Sequence, residues 1–127
     1  MTRTFYSRKV LDIFLNPPDS GYLDNPDGEG EATNPACSDV ARLTLRIRDN
    51  RIEDARFQTQ GCVAAIAAGA ATVALIRGKT VRDAEQLSIE DVVEWLDGLP
   101  PAKVGCSVIA PEALRNAIAD WRSKKSR

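Results

Sequence analysis

Three cysteines, Cys37, Cys62 and Cys106, are the side chains of this sequence best suited to chemistry, and no pair is close enough for a zinc knuckle or a redox Cys-x-x-Cys. Any site they share must be assembled by folding. Each stands where one expected element gives way to another: Cys37 in a loop before a hairpin, Cys62 between a strand and an alanine-rich helix, Cys106 just ahead of the last helix. At a helix N-terminus a thiol faces the positive end of the backbone dipole, which favours thiolate, the form that binds metals and attacks sulfur. Cys62 and Cys106 fit that description. A free cysteine is also an ordinary small buried apolar residue, so each taken alone fits a core role as well as a ligand role. Without histidine, a fourth ligand for a tetrahedral metal would be a carboxylate. Asp39, two residues after Cys37, is the nearest, and its plainer role is a loop aspartate bonded to local backbone amides.

Composition narrows the functions such a site could serve. The absence of histidine removes Ser-His-Asp triads, Cys-His dyads and imidazole zinc sites. Lys and Arg number 17 against 18 Asp and Glu, which argues against nucleic acid or an anionic membrane as partner. No apolar stretch follows the basic start, and the run 62–76 is broken by Gly69 and Thr72 and too short for a membrane span. A cytoplasmic protein without disulfides is therefore expected. At 127 residues, 43% apolar and 28% charged, the chain suits one domain, 1–127.

The elements that would hold these residues are read from periodicity. Tyr6, Val10, Ile13 and Phe14 predict an N-terminal amphipathic helix stopped by Asn16-Pro17-Pro18. Residues 16–35, rich in Asn, Pro, Asp, Gly and Glu, read as a long loop with a short strand around Tyr22 and Leu23. Leu43, Leu45 and Ile47 alternate with arginines and Thr44, Asp49-Asn50 supplies a turn, and Ala55 and Phe57 resume the alternation, which predicts an antiparallel hairpin. Arg42, Arg46 and Arg48 then form a solvated stripe. The run 63–76 predicts a helix buried on most sides and closed by Gly78. Thr80 with Asp83 and Ser88 with Asp91 resemble capping boxes, the second helix ending at Gly98. A last helix carries Leu114, Ala117, Ile118 and Trp121 on one face, with Pro111 in its first turn. The expected class is α+β, a small antiparallel sheet of about three strands covered on one face by helices.

The blocks Asn34-Pro35-Ala36-Cys37-Ser38-Asp39, Ala55-Arg56-Phe57 leading to Gly61-Cys62, and Leu96-Asp97-Gly98-Leu99-Pro100-Pro101-Ala102-Lys103 leading to Cys106-Ser107 are similar, in order and separation, to the U-type iron-sulfur cluster scaffold family, IscU and the N-terminal domain of NifU. Tyr6-Ser7, Lys9-Val10 and Asn16-Pro17 near the start, and Ala117-Ile118-Ala119-Asp120 near the end, extend the resemblance over nearly the whole chain. It implies a scaffold rather than an enzyme. Such a protein takes sulfur from a cysteine desulfurase, builds a transient 2Fe–2S or 4Fe–4S iron-sulfur cluster, and passes it to apo-proteins. The resemblance implies Cys37, Cys62 and Cys106 as ligands, Asp39 as ligand or tuner of lability, and Leu99, Pro100, Pro101 and Lys103 as a stretch gripped by an Hsp70-type chaperone. Three thiolates with one harder oxygen hold a cluster less firmly than four thiolates would.

The chain departs from the family pattern at four places. Gly105 stands where histidine usually precedes the third cysteine, Ser38 where glycine is common, Val63 and alanines where Gly and Ser are frequent, and Ala102 where valine is usual. Two further readings follow. One is a zinc-bound sulfur acceptor using the same residues; the other is an adaptor domain that keeps the fold and has lost cluster assembly.

Overall fold

The computed structural model describes residues 6–34 and 39–125. The alternation around Leu43 and Leu45 becomes strand β2, Asp39–Arg48, and the chain returns as β3, Arg51–Gln60. Asp49 and Asn50 both take positive φ, 53° and 61°, the backbone of a tight hairpin whose twist suits its strands. Leu43 lies opposite Phe57 and Leu45 opposite Ala55, all buried on one face. A register shift between Arg46 and Ile47 ends that alternation, and Ile47, expected in the buried row, is half-buried.

The loop expected over 16–35 needs correction. Tyr22 and Leu23 form no strand, whereas Gly28–Asn34 forms β1, antiparallel to β2 with Gly30 opposite Leu43. The sheet order is β1-β2-β3. A Cβ on Gly30 would lie 2.2 Å from the Ala117 nitrogen and 2.3 Å from the Ala113 carbonyl oxygen, both backbone atoms of the last helix. Glycines that read as punctuation are what this close approach requires.

Helix α1, Arg8–Leu15, is capped by Ser7, whose hydroxyl accepts from the Val10 amide. Val10 and Ile13 are buried, but Phe14, expected beside them, is 41% exposed because it lies a further 100° or so around the helix from Ile13. Helix α2, Val63–Ile76, has the expected bounds, and Gly78 follows it with φ of 86°. Gly69 brings α2 onto the sheet: a Cβ there would stand 2.5 Å from the Phe57 ring. Thr80 accepts from the Asp83 amide at the start of α3, Val81–Ala84, without the return bond of a full box; Ser88 and Asp91 make both bonds at α4, Ile89–Trp95. The 3-10 segment Pro101–Val108, which periodicity did not foretell, runs directly into α5, Ile109–Lys125, with Pro111 in the first turn. Among the described residues no helix is long and apolar enough to cross a membrane.

Helices α2 and α5 cover one face of the sheet. Residues 19–27 form a strap that pairs with the edge of β3 at Phe57 and then crosses the opposite face. The Leu23 amide donates to Thr44 Oγ1 at 3.1 Å, the Arg46 guanidinium donates to the carbonyls of Asp24 and Asn25 at 2.5 and 2.7 Å, and the Ile47 amide donates to Asp27 at 2.8 Å. The arginine stripe is thus not simply solvated: Arg46 clamps the strap, while Arg42 and Arg48 pair with Glu31 and Glu53.

Candidate metal centre

Val40 pairs with Gln60, so the start of β2 and the end of β3 share one end of the sheet, and the chain enters α2 there through Gly61 and Cys62. Cys62 is the N-cap of α2, half-buried, a free thiol whose sulfur makes no cap bond to the first-turn amides. It turns to Asp39 instead, Sγ donating to Oδ2 at 3.6 Å. Asp39 is the first residue of β2, not a loop residue, and only 4% of it is exposed. The room for its carboxylate comes from Gly61, where a Cβ would fall 2.5 Å from Asp39 Cγ. Glycine directly before cysteine was the available sequence signal for that contact.

A buried carboxylate needs a partner, and a neutral thiol is a weak one. The pair is better matched to a cation. Tetrahedral bonds of about 2.3 Å to sulfur and 2.0 Å to oxygen put the two ligand atoms roughly 3.5 Å apart, close to the separation of Cys62 and Asp39.

Of the four ligands expected, Asp39 and Cys62 are brought together. Cys37 lies outside the described residues, although Asn34 and Asp39 on either side of it pair across β1 and β2, so the flanking chain meets at this end of the sheet. Cys106 lies inside the 3-10 segment rather than between elements, and this segment packs against α2 and α4. Among the described residues no group of three Cys, Asp or Glu side chains converges. The 99–103 stretch is only partly open: Pro101 is exposed, Leu99 and Lys103 are half-buried, Pro100 is buried, and the Lys103 amide donates to the Pro100 carbonyl at 2.8 Å.

Comparison with known proteins decides the kinship. Residues 5–127 match the sequence model of the NifU-like N terminal domain. The chain belongs to that family. Within this NifU-like family, it is 43% identical over 122 residues to the iron-sulfur cluster assembly scaffold protein IscU 1 of Archaeoglobus fulgidus, covering 96% of this chain and 80% of the relative. It is 42% identical over 124 residues to the scaffold protein IscU of Escherichia coli K12, covering 94% and 96%. The fold is shared with the crystal structure of a putative iron-sulfur cluster assembly scaffold protein for the SUF system from Fervidobacterium islandicum, TM-score 0.74 at 22% identity, over 89% of this chain and 96% of that one. A NifU-like N-terminal protein from Brucella abortus matches with TM-score 0.73 at 17% identity, over 93% and 94%. The three-stranded antiparallel sheet with helices on one face is the architecture expected of the family.

Proposed function

We propose that this protein is a scaffold on which an iron-sulfur cluster is assembled as cargo and from which it is released. The observation that carries this reading is identity above 40% over nearly the whole chain to proteins named as IscU scaffolds. The Asp39–Cys62 pair supports it locally, because it offers one hard and one soft donor atom 3.6 Å apart at a helix N-terminus. Cys37, Cys62 and Cys106 would bind iron as thiolates with Asp39 as the fourth, weaker ligand. Iron held partly by a carboxylate is exchanged more readily than iron held by thiolates alone, and release is as much a scaffold's task as assembly.

A cysteine desulfurase would supply sulfur as a persulfide. A scaffold thiolate attacks its outer sulfur, the donor's thiolate leaves, and two electrons from a separate reductant then convert that sulfur to sulfide. Apo-proteins would receive the cluster, and an Hsp70-type chaperone would act at Leu99, Pro100, Pro101 and Lys103. The protein turns over no substrate of its own. Anaerobic reconstitution with ferrous iron and sulfide, followed by absorbance and Mössbauer spectroscopy, tests the reading. A cluster bound per chain is expected, and failure to acquire one with all three cysteines reduced overturns it. Bound zinc in the purified protein, together with that failure, would favour a zinc-bound sulfur acceptor.

A further inference from the structure

Strand β3 forms one edge of the sheet, and an edge strand presents backbone groups able to pair with another chain. Those groups can be followed one outward-facing residue at a time. At Ile52 the amide donates to the Lys79 carbonyl and the carbonyl accepts from the Gly78 amide, both at 2.8 Å. At Ala55 the amide donates to Asp54 Oδ1 and the carbonyl accepts from Arg56 and Arg77. At Phe57 the amide donates to the Asp19 carbonyl at 3.2 Å and the carbonyl accepts from the Gly21 amide at 2.8 Å.

Antiparallel pairing alternates, so the next outward-facing residue is Thr59, opposite Ala41. Nothing among the described residues meets its outward backbone groups, and its hydroxyl oxygen is buried without a hydrogen-bond partner. The chain's own strap stops one step short. It runs parallel to β3 at Phe57 and then leaves the edge after Gly21, Leu23 being tied to Thr44 on the outer face. Beside Thr59 lies an open groove of about 460 Å³, lined by Ser20, Val40, Arg42, Gln58 and Gln60. Apart from Val40 these are hydrogen-bonding side chains, suited to a polar segment. Thr59 is also three residues from Cys62, roughly 10 Å along the chain, and its register partner Ala41 is two residues from Asp39.

We infer that an extended polar segment of the sulfur-donating partner adds to β3 at Thr59. It continues the track of the strap, with the Thr59 amide and carbonyl as its anchor, and is thereby led past Cys62 and Asp39. The inference deepens the scaffold reading and rests on it. The outward backbone groups of β3 are met at Ile52, Ala55 and Phe57, and among the described residues they are open at Thr59, beside the proposed cluster ligands, which is where a donor segment must arrive.

The test uses the full chain labelled with ¹⁵N and the cysteine desulfurase of the same organism. Residue-resolved amide exchange should show Thr59 slowed at least tenfold in the complex, while Phe57, already bonded to Asp19, is protected with or without the partner. Thr59→Pro removes the N–H at an edge position that tolerates proline and should weaken binding about tenfold. Thr59→Val keeps the N–H and should bind within about threefold of wild type. Retained protection of the Phe57 amide shows that Thr59→Pro is folded, and the wild-type exchange result stands without that variant. A complex that leaves Thr59 exchange unchanged overturns the inference, as does protection that grows with the scaffold's own concentration, which would mark self-pairing. Absence of any complex overturns the donor assignment and the inference together. Reconstitution from inorganic iron and sulfide, which needs no partner, tests the scaffold reading separately.

Discussion

Asp39 is a carboxylate almost fully withdrawn from water whose contact to Cys62 is a thiol 3.6 Å away. That arrangement offers one oxygen and one sulfur donor to a cation. In the scaffold reading the oxygen is the weakest of four ligands, so the side chains differ in what their removal does. Cys37→Ser, Cys62→Ser and Cys106→Ser should each sharply reduce the iron and sulfide retained after reconstitution and desalting. Asp39→Ala should instead lengthen the life of a bound cluster, seen as several-fold slower decay of its visible absorbance under a chelator. A cluster that decays equally fast in Asp39→Ala would remove Asp39 from that role.

Between elements, four charges hold the strap to the sheet and to the end of α2. Arg77 Nη2 lies 3.0 Å from both Asp19 Oδ1 and Asp54 Oδ1, and Arg56 Nη1 lies 2.8 Å from Asp54 Oδ1. Burial alone would raise the Asp54 carboxyl, but the Ala55 amide and the guanidinium groups of Arg56 and Arg77 outweigh it and hold it below its ordinary value. A folded pKa below the unfolded one gives stability that is present above the unfolded value, about 3.9, and lost as pH falls through the lower folded value. Asp54→Asn should therefore destabilise the protein to urea at pH 7 and lose that effect near pH 2. About a third of the side chain meets solvent, so the loss should stay under about 1 kcal/mol. An equal difference at both pH values would show that charge is not what holds the strap.

At the scale of the whole molecule, α5 sits closely on β1. Asn116 Nδ2 donates to the Glu31 carbonyl at 2.8 Å, the Glu29 amide donates to Asp120 at 3.0 Å, and Gly30 leaves no room for a side chain beneath Ala113 and Ala117. At the far end Arg122 ties α5 to Glu85, and this hydrogen-bonded pairing outweighs burial to hold the Glu85 carboxyl below its usual range. Gly30→Ala would push a methyl group into helix backbone, which cannot rotate aside. It should cost about 2–3 kcal/mol and lower the melting temperature by roughly 10 °C in a thermal scan. A change of less than about 2 °C would mean that α5 floats over the sheet rather than resting on it.

The hairpin at Asp49-Asn50, the bounds of α2 and the Ser88 cap were legible in the sequence because each depends on neighbours a few positions apart: strand alternation, turn residues that accept positive φ, a hydroxyl before a helix. The family was legible for a similar reason, since the order and separation of short residue blocks carry it, and the proposed ligands follow from that resemblance. Strand β1 was not legible, because its glycines gain their meaning from Ala113 and Ala117, more than 80 residues away. Nor was the meeting of Asp39 with Cys62, which depends on Val40 standing opposite Gln60 and on Gly61 making room. Donor atoms are a property of the chain, but their separation is set by strand register and packing, and those exist only once distant segments touch.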